Sequence, residues 1–297
     1  MRNNFTRRTT ASITLSCALI AIVACTQGDD SATVRNNAGQ IPRNDASPLN
    51  DAGERTGSQL SVVAETLAYA EVDDQLVKGH FVFPQNMVET LPAIILVHEW
   101  WGLNDEIRIL ADRIAAEGFV VLAVDLYGGR SAKTSPDARK LMQEIVENPE
   151  SAAENLRQAC DWVSSTAGAT QVGVVGYGLG GGWSLNAAMA LPDKLDAAVM
   201  FYGQVSDDEQ ELAPLDAPLL GFFGAADVSI PLDAVNNFEL ALQNLDKAFE
   251  IEIYPDARGG FASPRNRNFD ADLEAQSWRK MLEFLRENLR ESEQGTV

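Results

Sequence analysis

The chain has 297 residues, of which 45% are hydrophobic and 22% charged, an ordinary globular composition that excludes a wholly disordered or a membrane-spanning protein. Lys and Arg total 23 against 43 Asp and Glu, and the resulting charge of −20 repels phosphate backbones and anionic headgroups, so nucleic-acid binding and a polybasic membrane contact are excluded as readings. Length alone suggests about two domains.

Residues 1–25 read as an export signal. Arg2, Arg7 and Arg8 precede a short apolar run from Ala11 to Ala24. A spanning helix needs roughly 20 residues, more than this run supplies. It ends Ile22-Val23-Ala24-Cys25, which resembles a bacterial lipobox. The resemblance implies cleavage that leaves Cys25 as a lipidated N-terminus. Thr26 stands where an inner-membrane retention signal would carry Asp, so the expected location is the outer membrane, facing the periplasm. Residues 26–58 lack aromatic side chains and are rich in Asn, Asp, Gly, Ser and Pro. Such a segment cannot offset its chain entropy by burial and is expected to be a disordered linker. The folded part is then 59–292, one domain rather than two. Only Cys160 remains to it, so no internal disulfide is expected, and its helical spacing from Leu156 and Val163 marks core.

Within the domain, Leu67 to Pro84 reads as a hairpin turning at 72–75. Ala93-Ile94-Ile95-Leu96-Val97 is a continuous apolar run, the pattern of a strand buried on both faces. A helix follows over 104–117, with Asn104 as N-cap and Gly118 as terminator. Strand 120–126, helices 136–147 and 150–165, strand 172–175 and helix 180–190 come next. Strand 197–201, strand 219–223, helix 232–245, strand 249–254 and a last amphipathic helix over 272–289 complete the pattern. Strands alternating with helices indicate an α/β fold with one doubly wound, mostly parallel sheet.

The stretch Val174-Val175-Gly176-Tyr177-Gly178-Leu179-Gly180-Gly181-Gly182 is a strand entering a glycine-lined turn and then a helix. Gly176, Gly178 and Gly181 match a dinucleotide-binding G-x-G-x-x-G. Its place past the middle of the domain argues against that reading. So does the next strand, which ends Met200-Phe201-Tyr202-Gly203 without an acidic residue for a ribose. The other reading is a nucleophile elbow, the strained turn that lifts one side chain above an α/β-hydrolase sheet. Its central position here is Gly178, which has no side chain.

Four further segments follow in order: His98-Glu99-Trp100-Trp101-Gly102-Leu103-Asn104, Asp125-Leu126-Tyr127-Gly128-Gly129-Arg130, Gly224-Ala225-Ala226-Asp227 with Ile230-Pro231, and Tyr254-Pro255-Asp256-Ala257-Arg258-Gly259-Gly260-Phe261-Ala262. Together with the elbow they resemble the dienelactone hydrolase family. The resemblance implies an α/β-hydrolase fold and a Cys–His–Asp triad that attacks an ester or lactone, with a glutamate governing the cysteine's charge. By motif position the retained residues are Glu99 and Asp227, and the oxyanion amides are those of Trp100 and Leu179. The nucleophile position is Gly178 and the histidine position is Gly259, so cysteine and histidine are both replaced.

His80 on the hairpin reads as structural. His98 ends a central strand but not the one that carries the family's base, and Ser184 lies too far along its helix to replace the nucleophile. Two histidines at unrelated spacing make no metal site, and no cofactor is expected. Arg130 and Arg265 are candidates for a substrate carboxylate, and Trp100 and Trp101 for packing at the pocket mouth. Glu99 and Asp227 should face a cavity without its imidazole, where desolvation and mutual repulsion raise at least one carboxyl pKa. Three functions follow. The first is a catalytically degenerate envelope lipoprotein that acts as a binding or scaffold module. The second is a weak ester or lactone hydrolase with an unorthodox mechanism. The third is an envelope protein with a vestigial pocket. The partners expected are a small ester, lactone or carboxylate ligand and a lipid anchor at Cys25.

Overall fold

The computed structural model describes residues 60–87 and 90–289. The expected signal, Cys25, the linker and the outermost ends of the expected domain lie outside these residues. Among the described residues no helix is long and apolar enough to cross a membrane.

The described residues begin with a hairpin of β1 (Val62–Val72) and β2 (Gln75–Pro84). Its two-residue turn, Asp73-Asp74, has φ of 51° and 59°. Two positive φ values give the turn the twist that suits flanking strands. The remaining elements are β3 (Ala93–Val97), α1 (Asp105–Ala115), β4 (Val120–Ala123), α2 (Ser135–Glu147), α3 (Pro149–Ser165), β5 (Val172–Tyr177) and α4 (Leu179–Ala190). They are followed by β6 (Ala197–Phe201), α5 (Glu209–Leu212), β7 (Leu219–Gly224), α6 (Leu232–Asn244), β8 (Phe249–Tyr254) and α7 (Ala271–Asn288). Two expectations need correction. Strand β4 stops at Ala123, because Asp125 then turns the chain by accepting the N–H groups of Tyr127 and Gly129. The one-turn helix α5 is too short to show a period and was not anticipated.

One eight-stranded sheet runs in the order β1-β2-β4-β3-β5-β6-β7-β8. From β4 onward neighbours are parallel, whereas β2 joins β4 antiparallel. Every residue of β3, β5, β6 and β7 is buried. Along β3 the side chains alternate between two cores. Ala93, Ile95 and Val97 pack with residues of α2, α3, α4 and α6, while Ile94 and Leu96 pack with α1 and α7. This two-sided covering is what a continuous apolar run requires. Cys160 lies in the first of these cores.

A buried polar network ties the hairpin to the sheet. The Tyr69 hydroxyl donates to Asn155 Oδ1 at 2.6 Å and accepts from the Asp125 N–H at 3.1 Å, while Asn155 Nδ2 donates to the Asp125 carbonyl at 3.0 Å. Replacing Asn155 with alanine strands two buried groups, so we expect a loss of about 2–3 kcal/mol in denaturant unfolding. Tyr69→Phe, which leaves Asn155 able to hold Asp125, should cost less.

Candidate active site

Sheet register brings the candidate residues together. Val97 of β3 is level with Gly176 of β5, so Glu99 and Gly178 emerge side by side at the C-terminal edge. Tyr177 is level with Phe201 of β6, and the Gly178 N–H donates to the Phe201 carbonyl at 2.9 Å, which sets Tyr202 on the other side of Gly178. Strand order reverses at β3, whose neighbours are β4 and β5. The crevice at such a reversal is where open α/β sheets bind ligands.

The glycines of the turn are of two kinds. A Cβ at Gly180 would overlap the Val97 carbonyl oxygen, and one at Gly176 the Gly180 carbonyl. One at Gly181 would lie 2.8 Å from the Phe201 oxygen. These glycines let α4 sit directly on the strand ends. Gly178 differs. A Cβ there would meet only Glu99 Oε1 at 3.8 Å and Tyr202 Cε2 at 4.0 Å, so the space is open. Its backbone, at φ 55° and ψ −114°, is one that a residue with a side chain adopts only under strain. A strained turn facing open space is the geometry of an elbow without its side chain.

The loop after β3 is held by His98. This ring is completely buried, and Nδ1 lies 2.7 Å from the Glu99 carbonyl while Nε2 accepts the Leu126 N–H at 3.1 Å. Those partners assign the proton to Nδ1. Burial lowers the ring's pKa and keeps it neutral. With both nitrogens occupied, His98 positions the loop and is not a free base. Tyr127 packs against the ring and donates its hydroxyl to the Trp100 carbonyl at 3.0 Å.

The Glu99 carboxyl accepts the Ser263 hydroxyl at 3.1 Å through Oε2 and turns Oε1 toward Gly178. Burial pushes its pKa up to about 7; the Ser263 hydrogen bond opposes this and the nearby Glu106 carboxylate adds to it. The expected repulsion therefore comes from Glu106 rather than from Asp227. Tyr202, at φ 39°, buries its hydroxyl beside the Glu99 carboxyl, and burial together with that carboxyl holds the phenol un-ionised. The sequence pattern singles out neither Ser263, which lies one residue beyond the Tyr254–Ala262 segment, nor Tyr202, which reads as the end of an apolar strand.

Asp227 follows β7, and its Oδ1 accepts the N–H groups of Ser229 at 2.7 Å and Ile230 at 3.3 Å. Its Oδ2 fills the place where a Cβ at Gly259 would stand. Asn268 holds the Gly259 carbonyl at 2.9 Å. The site thus has two clusters, Glu99 with Gly178 and Asp227 with Gly259, and one loop carries both Gly259 and Ser263. Neither the Trp100 nor the Leu179 N–H finds an acceptor among the described residues. Trp100 and Trp101 pack on each other with ring centroids 4.8 Å apart and stay partly exposed.

Other candidates are engaged elsewhere. His80 pairs with Asp112 at 3.0 Å, and the Ser184 hydroxyl donates to the Gly180 carbonyl at 2.9 Å. Arg130 pairs with Glu144 and Arg265 with Glu106. A groove of about 520 Å³, lined by Tyr254, Arg258, Phe261, Arg267 and Leu273 among others, reaches neither Glu99 nor Gly178.

The model of the dienelactone hydrolase family matches residues 77–289. The chain belongs to that family. Among curated relatives, an Escherichia coli K12 protein whose name proposes a carboxymethylenebutenolidase is 28% identical over 255 residues, covering 82% of this chain and 93% of its own. The Aquifex pyrophilus protein usf is 28% identical over 209 residues, or 67% of this chain and 89% of its own. A solved Klebsiella pneumoniae structure, titled as a proposed dienelactone hydrolase, superposes with a TM-score of 0.69 at 25% identity, over 75% of this chain and 98% of its own. A dienelactone hydrolase-like promiscuous phosphotriesterase from metagenomic libraries superposes with a TM-score of 0.71 at 20% identity, over 77% and 99%, a likeness of fold alone. These relatives agree with the α/β-hydrolase fold described above.

Glu99 yields a stability prediction within this family fold. Its folded pKa of about 7 exceeds the ordinary value of 4.5, so the folded state holds the proton more tightly. The resulting destabilisation is absent below pH 4.5, grows as pH rises, and is complete above about 7. Glu99→Gln should therefore leave the melting temperature unchanged near pH 4.5 and raise it by roughly 2–6 °C at pH 8, as scanning calorimetry would measure.

Proposed function

We propose that this protein is a catalytically degenerate member of the dienelactone hydrolase family that serves as a binding module on the cell envelope. The reading rests on Gly178. The elbow's backbone strain and open socket remain, yet no side chain projects there, and Gly259 offers no imidazole to Asp227. In subtilisin, losing the nucleophile or base costs about as much as losing the whole triad, roughly 10⁶ in turnover, and the oxyanion site and binding leave about 10³–10⁴ over water. The unspent N–H groups of Trp100 and Leu179 are the part of the machinery this reading retains. Incubation with thiol- and serine-directed reagents should label nothing in the pocket, and ester and lactone assays should show no turnover above that residue.

A second reading has its own observation. Glu99 has a pKa near neutrality, accepts the Ser263 hydroxyl and faces open space, so it has the protonation behaviour of a general base. Ester turnover abolished by Glu99→Gln, or a serine reagent found on Ser263, would establish this reading and displace the first.

Restoring the triad tests the degenerate reading directly. Gly178→Cys alone should give a sluggish thiol, strained at φ 55°. Gly259→His alone should do nothing for catalysis and must displace the Asp227 carboxylate, which is the movable end of a side chain. The double variant should gain ester hydrolysis by at least ~10²-fold over the product of the two singles, because triad members act as a unit. A double variant that folds by circular dichroism and gains nothing would replace this reading with that of a vestigial pocket.

The envelope location is proposed from residues 22–25. The mature protein should begin at lipidated Cys25 and fractionate with the outer membrane. Cys25→Ser should block processing or release the protein, as mass spectrometry of the N-terminus and fractionation would report. A soluble wild type with an unmodified N-terminus would overturn the anchor.

A further inference from the structure

A sheet that ends in an unprotected strand offers a row of free backbone N–H and C=O groups to another chain. This sheet ends in β8 on one side and β1 on the other. Strand β8 is guarded. It carries Glu250 and Glu252 at alternate positions, both held by Lys280 at 2.8 and 2.9 Å, and charge of that density on a short edge discourages pairing.

Strand β1 is open over Val62–Ala68. The Gln85 N–H donates to the Ser61 carbonyl at 2.8 Å, so residues 61, 63, 65 and 67 bond toward β2. By alternation Val62, Ala64, Thr66 and Ala68 turn their N–H and C=O groups outward, where no further element among the described residues meets them. Ala64, Thr66 and Ala68 are exposed, and Glu65 is the one charged residue from Val62 to Ala70. A register shift between Ala68 and Ala70 changes the arrangement beyond it. There the Gln158 side-chain amide of α3 closes on Glu71 as a neighbouring strand would, accepting its N–H at 2.9 Å and donating to its carbonyl at 2.8 Å. The fold thus seals the edge at Glu71 and leaves it open before the bulge. Apolar surface gathers at the open part. Phe81 and Phe83 stand level with Glu65 and Val63 and stay half-buried, and Leu60 is 50% exposed.

We propose that Val62–Ala68 is the interface of a homodimer, in which β1 of a second copy pairs antiparallel with β1 about a two-fold axis at Ala64. Outward-facing residues must meet outward-facing residues, which limits the registers. A two-fold at Glu65 sets its two carboxylates directly opposite each other, which is destabilising. A two-fold at Thr66 brings the second copy's Ser61 opposite Glu71, where Gln158 already stands. The two-fold at Ala64 avoids both. It pairs Val62 with Thr66, Ala64 with itself and Val63 with Glu65, and it lays the exposed Leu60 against the second copy's Ala68. A second copy is the occupant that this strand's own sequence fits, because small and β-branched residues face each other and one patch serves both sides. The chain's charge of −20 opposes approach at long range, and since Glu65 is the one charge in the paired stretch, salt screens that repulsion without breaking a contact. Neither Gly178 nor Glu99 takes part, so the state of the triad does not bear on the dimer.

The test is analytical ultracentrifugation of the full-length protein in mild detergent, with cysteine cross-linking alongside. The wild type should dimerise, with a dissociation constant that falls several-fold as salt is raised. Ala64→Pro deletes an outward N–H that an edge strand can spare, and Ala64→Lys sets two ammonium groups opposite each other. Each should raise the dissociation constant at least ~10-fold while the circular dichroism spectrum stays unchanged. Ala64→Cys should cross-link to itself on mild oxidation above the wild-type level, because directly opposed Cα atoms lie about 5.5 Å apart, within disulfide reach. Ala68→Cys, equally exposed but off the axis, should not. A wild type that stays monomeric up to ~100 μM would overturn the proposal. So would a dimer that neither Ala64 substitution weakens, or a cross-link formed by Ala68→Cys and not by Ala64→Cys.

Discussion

Helix α4 lies so close to the strands beneath it that side chains are excluded at Gly176, Gly180 and Gly181, and this close approach sets the geometry of the whole sheet edge. Carbonyls of Val97, Phe201 and Gly180 occupy the places where Cβ atoms would be. The helix start is therefore pinned between the loops after β3 and β6. It cannot tilt to solvate its own first turn, and the chain entering it must pass through φ 55° at Gly178. Every feature of the site follows from that arrangement. Glu99 and Tyr202 flank the elbow because β3 and β6 flank β5, and Gly180 and Gly181 are buried because the helix descends so far.

Electrostatics then decides what the pocket is suited to. A family site built on thiolate and imidazolium balances charges within a desolvated space. In the proposed reading both side chains are missing; burial pushes the Glu99 carboxyl toward neutrality. His98, the imidazole nearest in sequence, cannot compensate. Each of its nitrogens is spent on backbone, and full burial disfavours its charged form.

The family match and the relatives with dienelactone hydrolase titles concern a scaffold that this chain shares over most of its folded length. A scaffold hosts function through specific groups and does not carry it alone. In the proposed reading, the loops that would present a triad carry Gly178, Gly259 and Asp227. Asp227 has settled into the room next to Gly259 and caps the turn toward Ile230.

Much was legible in the linear chain. Continuous apolar runs identified β3, β5, β6 and β7, because a strand buried on both faces admits nothing else. Asn104 marked the start of α1, where it accepts the N–H groups of Glu106 and Ile107. Motif order pointed to the family, and glycine at 178 and 259 was plain on inspection. Tertiary structure alone decided three things. It separated the glycines that packing requires from Gly178, where the space is open, since that difference depends on carbonyls from β3 and β6. It found Ser263 against Glu99, 164 residues away, a contact made only when the loop after β8 folds over the loop after β3. It also set the Tyr202 hydroxyl beside Glu99, because which polar groups meet in the interior is a property of the packed surroundings and not of any residue in the chain.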